Sequence, residues 1–141
     1  MTFPLDPRLA ADTFPVGDLA LCRVLLMNDS RFPWLILVPR RADLSEIFDL
    51  ALPERAVLIE EAARAGEKLK ALAGADKINI GALGNLVAQL HVHVVARFAG
   101  DAAWPGPVWG AGQASPYPPE AAANWIDDLR RALELRVLSG D

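Results

Sequence analysis

Gln89-Leu90-His91-Val92-His93-Val94-Val95 holds both histidines of the chain, and its reading decides how the rest is placed. On a β-strand, alternate residues share a face. Gln89, His91, His93 and Val95 therefore point one way, and Leu90, Val92 and Val94 point into a core on the other. A polar Gln-His-His row backed by an apolar row describes a half-exposed strand that presents a chemical face. Three readings fit the pair: hydrogen-bonded histidines on an outer strand, two ligands of a metal ion, or a nucleophile with a charge-stabilising neighbour. The metal reading lacks ligands, because the chain has no third histidine, one distant cysteine and no acidic residue on this strand. Imidazole suits attack on phosphorus, since an unperturbed pKa of about 6.5 leaves the neutral form populated near pH 7.

Upstream lies Gly81-Ala82-Leu83-Gly84-Asn85, with Asn79 just before it. Permissive backbone and amide side chains at such a turn resemble those of anion-binding loops. The pattern predicts strands over 19–27, 34–38, 77–80 and 87–97. The first two are joined through Asn28-Asp29-Ser30 as an antiparallel hairpin, and Pro39 stops the second. A helix is predicted over 53–73, where Leu58, Ala62, Ala65, Leu69 and Leu72 make one apolar stripe and Glu60, Glu61 and Arg64 join the charged remainder. Pro53 suits its first turn and Gly74 its end. A loop of about twenty residues over 99–118, rich in Gly, Pro and Trp, is long for a compact domain and suits a lid or wall. A closing helix is predicted over 119–138, with Trp125, Leu129, Ala132 and Leu133 at helical spacing. Strands and helices that do not strictly alternate favour α+β with an antiparallel sheet.

Composition narrows the function. At 141 residues, 52% hydrophobic and 23% charged, the sequence reads as one globular domain over 1–141. Its net charge of −4 argues against a nucleic-acid groove, yet leaves room for one small anionic ligand. The single Cys22 excludes an internal disulfide and a Cys-rich zinc site, and its apolar surroundings suggest an inert core residue. The N-terminal MTFPLDPRLAADTF lacks the pattern of a secretory signal. No apolar run approaches the ~20 residues that span a bilayer, so the expected setting is the cytoplasm, away from membranes.

The string Asn79-Ile80-Gly81-Ala82-Leu83-Gly84-Asn85-Leu86-Val87-Ala88-Gln89-Leu90-His91-Val92-His93-Val94-Val95 resembles the signature of the histidine triad (HIT) superfamily. That signature is His-φ-His-φ-His-φφ, with φ apolar, preceded by a Gly-Gln or Gly-Asn pair. Val24–Asn28 followed by Trp34-Leu35-Ile36-Leu37-Val38-Pro39-Arg40 resembles the family's first strand, turn and "LViPK/R" strand, so the likeness spans roughly residues 15–100. It implies an α+β domain with an antiparallel sheet of about five strands, one long central helix and a C-terminal helix, paired as a homodimer. It also implies hydrolysis or transfer at the α-phosphorus of a nucleoside phosphoramidate or dinucleoside polyphosphate; no cofactor is expected, and nothing in the sequence calls for an obligatory metal. Carried over by position, His91 is the nucleophile and His93 its phosphate-side partner. Gly84 and Asn85 would meet the phosphates with Asn79 beside them, Asn28 or Asp29 the ribose, and Leu26 the base.

Three positions depart from the family pattern. Gln89 stands where the first histidine of the triad belongs, keeping an amide donor and acceptor but no ionisable ring. Trp34 replaces a histidine common ahead of the "LViP" strand, and Leu86 a hydroxyl common in the phosphoramidate branch. These departures motivate a rival reading, a nucleotide-binding module with little or no turnover; a third is a structural dimer. Trp104 and Trp109 are expected to pack the long loop onto the body, with a wall for the leaving group as the alternative. Arg40, Arg41 and Arg97 could neutralise phosphates, although strand-end charges are usually solvated.

Overall fold

A computed structural model describes residues 3–136. In chain order it contains α1 (Pro7–Asp12), β1 (Thr13–Asp18), β2 (Cys22–Met27), β3 (Trp34–Pro39), α2 (Leu52–Ala73), β4 (Lys77–Gly81), β5 (Val92–Arg97) and α3 (Pro119–Ala132), with a short 3-10 turn at Ile47–Asp49. The five strands form one sheet in the order β1-β2-β3-β5-β4, and every neighbouring pair is antiparallel. This is the expected α+β fold, with the long helix on one face of the sheet.

β2 and β3 form the expected hairpin, with Leu25 opposite Ile36. The strand expected over 19–27 starts only at Cys22, because the chain first turns back, Leu19 N–H donating to the Cys22 carbonyl. α1 and β1 were not legible: Pro15 and Gly17 break the strand pattern, and the register slips between them. An edge strand tolerates that irregularity. Gly17 is needed for a close approach, since a Cβ there would lie 2.7 Å from that of Leu135.

The strand expected over 87–97 is shorter, β5 beginning at Val92. Its partners explain this. β3 reaches β5 no further than Leu37 opposite Val92, and β4 no further than Gly81 opposite His93. Residues 87–91 have no ladder to join, so Gln89 and His91 lie on a loop that enters the sheet.

Each face of the sheet has its own core. Leu26, Leu35, Leu37, Val92 and Val94 pack under α2 and α3, against Leu58, Ala65, Leu69 and Leu129. Leu25, Trp34, Ile36, Val38 and Val95 pack on the opposite face against Phe3, Leu9, Phe32 and Val108. The expected half-exposed face is therefore covered, by the N-terminal segment and the 99–118 loop. α2 keeps four of its five stripe residues buried, but Leu72 lies 40% exposed in its last turn. α3 ends at Ala132, short of the expected 138: Glu134 turns the chain at φ 51° and Arg136 bridges to Asp18. Positions 137 and 138 of that expectation fall outside the described residues. Among the described residues, no helix is long and apolar enough to cross a membrane.

Glu61 corrects the charged-face reading of α2, for it is buried. Its carboxylate accepts from Leu21 N–H at 2.9 Å and Cys22 N–H at 2.8 Å, two donors at the entry to β2. Burial, with Glu61 beside it, pushes the Cys22 thiol far above its usual value, consistent with an inert residue. Glu61→Ala strands both buried N–H groups, and urea unfolding should show a loss of about 2–4 kcal/mol. Glu61→Gln, which retains one acceptor oxygen, should lose roughly half of that.

Candidate active site

His91 is the last loop residue before β5 and His93 the second residue of the strand, so the pair sits where the ladder begins. Their ring centroids are 4.9 Å apart at 66°, and each residue is only 6% exposed. His91 Nδ1 lies 2.6 Å from the Gln89 carbonyl. A carbonyl can only accept, so Nδ1 carries a hydrogen, and in the neutral ring the lone pair is therefore on Nε2.

His93 is held the opposite way. The Trp34 indole N–H donates to His93 Nδ1 at 3.0 Å. Trp109 closes on the same ring at 5.4 Å and meets Trp34 edge-on at 6.5 Å. Burial, and then the nearby His91, lower the His93 pKa to about 4. His93 is neutral at physiological pH.

Both histidines line a cleft of about 700 Å³ together with Asn28, Asp29, Gly84 and Asn85. Six of the eight residues singled out in the sequence thus share one cavity, and two do not. The Gln89 side chain turns to the N-terminal segment, accepting from Asp6 N–H at 2.7 Å and donating to the Pro4 carbonyl at 2.8 Å. It reaches His91 only through its backbone carbonyl. Asn79 accepts from the Arg97 guanidinium at 2.8 Å, outside the cleft.

Arg97 is no solvated strand end, being 1% exposed. It forms a paired contact with Asp101 at 2.8 and 2.9 Å and lies over the Phe32 and Trp104 rings. Arg97, joined by the N–H groups of Phe98 and Ala103, holds the Asp101 carboxyl far below the usual range. Arg41 pairs with Glu54 and Arg40 donates to the carbonyls of Leu19 and Ala20, both away from the cleft.

The turn after β2 fastens the long loop. Tyr117 N–H donates to Asn28 Oδ1 at 2.8 Å and Ser115 N–H to Asp29 Oδ1 at 3.2 Å. Arg31 grips Asp29 through Nε and Nη2 and donates from Nη1 to the Ala111 carbonyl. Burial opposes ionisation of Asp29, but Arg31 and the Ser115 N–H outweigh it and hold its carboxyl below the usual range. So anchored, the loop lays Trp109 on β4, where a Cβ on Gly81 would stand 3.1 Å from the indole. Trp109 both packs the loop and walls the cleft, and its Nε1 is buried without a partner. Trp104 stays 40% exposed over Arg97. No local pattern signals the roles of Trp34, Arg31 or Asp101, since each depends on which strand or loop lies alongside. Among the described residues, no three His, Cys, Asp or Glu side chains gather as metal ligands.

The neutral burial of His93 has a thermodynamic consequence. With a pKa near 4 folded and 6.5 unfolded, the unfolded chain takes up this proton first as the pH falls. The contribution, roughly 3 kcal/mol, is complete above pH 6.5 and is lost on descending towards pH 4. Denaturant titrations of the protein and of His93→Gln should show the slope over that window flattened in the variant.

The HIT domain family matches residues 8–100. Among solved structures, a histidine triad protein from Sinorhizobium meliloti 1021 is 53% identical, covering 93% of this chain and 97% of that one at a TM-score of 0.91. A histidine triad protein from Bradyrhizobium japonicum is 48% identical over 94% and 99% of the two chains, with a TM-score of 0.91. One from Marinobacter aquaeolei VT8 is 46% identical over 95% and 98%, with a TM-score of 0.92. A search of curated proteins finds no match. With the family pattern over most of its length and the same fold in relatives this similar, the chain belongs to the HIT domain family.

Proposed function

We propose that the protein is a nucleotide hydrolase or transferase acting at the α-phosphorus of a nucleoside phosphoramidate or dinucleoside polyphosphate. The observation that carries this reading is the hold on His91: Nδ1–H is tied to the Gln89 carbonyl, so the neutral ring has its lone pair on Nε2, and the ring lines the cleft. That lone pair attacks phosphorus and forms a P–N bond while the bond to the leaving group breaks. The leaving group departs with the bonding electrons and takes a proton from solvent. Water then attacks the nucleotidyl-histidine, releasing the mononucleotide and neutral His91. The Gly84-Asn85 turn receives the phosphate, and the Asn85 amide has no partner among the described residues. Of the two ribose candidates, Asp29 is saturated by Arg31 and Ser115, which leaves the Asn28 amide N–H groups for the sugar. Gln89, with its side chain engaged elsewhere, acts through its carbonyl.

The rival, a binding module with little turnover, is favoured by the shortage of proton donors: His93 is neutral, the Gln89 amide is committed, and Leu86 carries no hydroxyl. Intact-mass spectrometry without acid, after mixing with an adenosine phosphoramidate or a dinucleoside polyphosphate, separates the two. The enzyme gains one nucleotidyl group or releases mononucleotide, and His91→Ala abolishes both by about 10³-fold or more. Binding in a titration, without adduct or product, identifies the module; no binding at all sinks both readings.

We also propose a homodimer through the free edge of β4. Ile80 on that edge strand is 51% exposed and Leu83 beyond it 45%, an apolar border that an unpaired strand rarely leaves to water. Sedimentation of Ile80→Lys should show a monomer where the parent chain sediments as a dimer.

A further inference from the structure

We propose that Trp34 is a positioning residue that fixes His93 in its Nε2–H tautomer, so that His93 serves phosphoryl transfer as a neutral hydrogen-bond donor and never as an acid. The catalytic half of this statement rests on the function proposed above; the tautomer does not. An indole N–H can only donate. At 3.0 Å from His93 Nδ1, it requires a lone pair there, which places the single hydrogen of the neutral ring on Nε2. Protonating Nδ1 would set two donors against each other.

Sheet register builds the contact. Trp34 lies opposite Val95 and Ile36 opposite His93, so the Trp34 and His93 side chains meet diagonally on one face of the β3–β5 pair. Three rings surround the imidazole, Trp34 at 5.7 Å, Trp109 at 5.4 Å and His91 at 4.9 Å. Charged and titratable groups around the cleft do not favour a cation either. Asp29 and Arg31, from the turn after β2, are spent on each other, and Asp12, at the end of α1, makes no bond to the ring. The 99–118 loop presents Val108 and Trp109 on this side, β4 presents no ionisable group there, and the neighbouring His91 works against a charge on His93. Trp34 thus gives His93 a fixed protonation pattern through a single donor.

Imidazole ¹⁵N spectra read the tautomer directly. The parent protein should show His93 with Nε2 protonated and Nδ1 bare between about pH 5 and 8. Trp34→Phe, which keeps an aromatic ring but removes the donor, should let the Nδ1–H tautomer appear and His93 titrate inside that window. The rate of nucleotidyl-His91 formation at saturating adenosine phosphoramidate or dinucleoside polyphosphate should fall about tenfold and become pH-dependent, with half-saturation within about threefold. Trp109→Phe is the control, because it loosens the same packing while removing an N–H that does not reach His93; its tautomer should match the parent. The proposal is overturned if His93 of the parent protein titrates near its ordinary value, or if Trp34→Phe leaves the tautomer unchanged. It is equally overturned if Trp109→Phe alters the tautomer as Trp34→Phe does. A locked tautomer in a protein that forms no adduct and no product upholds the hold of Trp34 on the ring, but removes its part in transfer and the proposed function with it.

Discussion

The insertion of β5 between β3 and β4 is the constraint on which the rest of the structure depends. A strand paired on both sides has a fixed direction, a fixed alternation of faces and a definite start. Here that start, at Val92, is set by where β3 and β4 run out. The histidines come at this boundary: His93 is rigid within the ladder, and His91 is just outside it, where its ring nitrogen can reach the Gln89 carbonyl. Two imidazoles two residues apart are thereby held in opposite tautomers by two different partners, a backbone acceptor and an indole donor.

Polar anchors do for the irregular parts what hydrogen-bond ladders do for the sheet. The 99–118 loop has no regular structure, yet it is fixed at one end by Arg97 and Asp101 and further along by Asn28, Asp29 and Arg31. Buried ion pairs of this kind add little net stability, because desolvating two charges offsets most of their attraction. Their effect here is on geometry: both bring Trp109 to its place against β4 and His93. Glu61 works in the same way at the opposite face, where one carboxylate satisfies two backbone donors that the sheet leaves unpaired. The place of Trp109 in the aromatic wall is therefore a product of charge pairing at a distance, whereas Trp34 is brought to His93 by strand register.

The departures from the triad pattern acquire physical meaning in this setting. Gln89 uses its amide to hold residues 4–6, a task that needs a donor and an acceptor together and that an imidazole ring, with its nitrogens fixed apart, is less suited to perform. Trp34 supplies His93 with a donor that cannot change its protonation state, on a ring whose charge burial and then His91 already disfavour. Aromatic and apolar side chains make up much of the cleft that the two histidines line, with Asn28, Gly84 and Asn85 along it.

Much of this was legible in the sequence. Alternation of apolar and polar residues around His91 and His93 assigned the two faces, and the stripe on α2 and the hairpin at Asn28–Ser30 set the fold class. These features are local, depending on neighbours within a few residues, so a one-dimensional pattern carries them. The pattern failed where partners are remote. It could not say that Glu61 would be drawn to the entry of β2, that Arg97 would be buried against Asp101, or that Gln89 and Asn79 would face away from the cleft. Nor could it see β1, whose Pro15 and Gly17 are acceptable only on an edge. The sequence by itself determined which residues could do chemistry and the scaffold they would stand on. Tertiary structure alone decided which nitrogen of each histidine is bare, because that depends on a carbonyl brought round by a loop and an indole brought across by strand register.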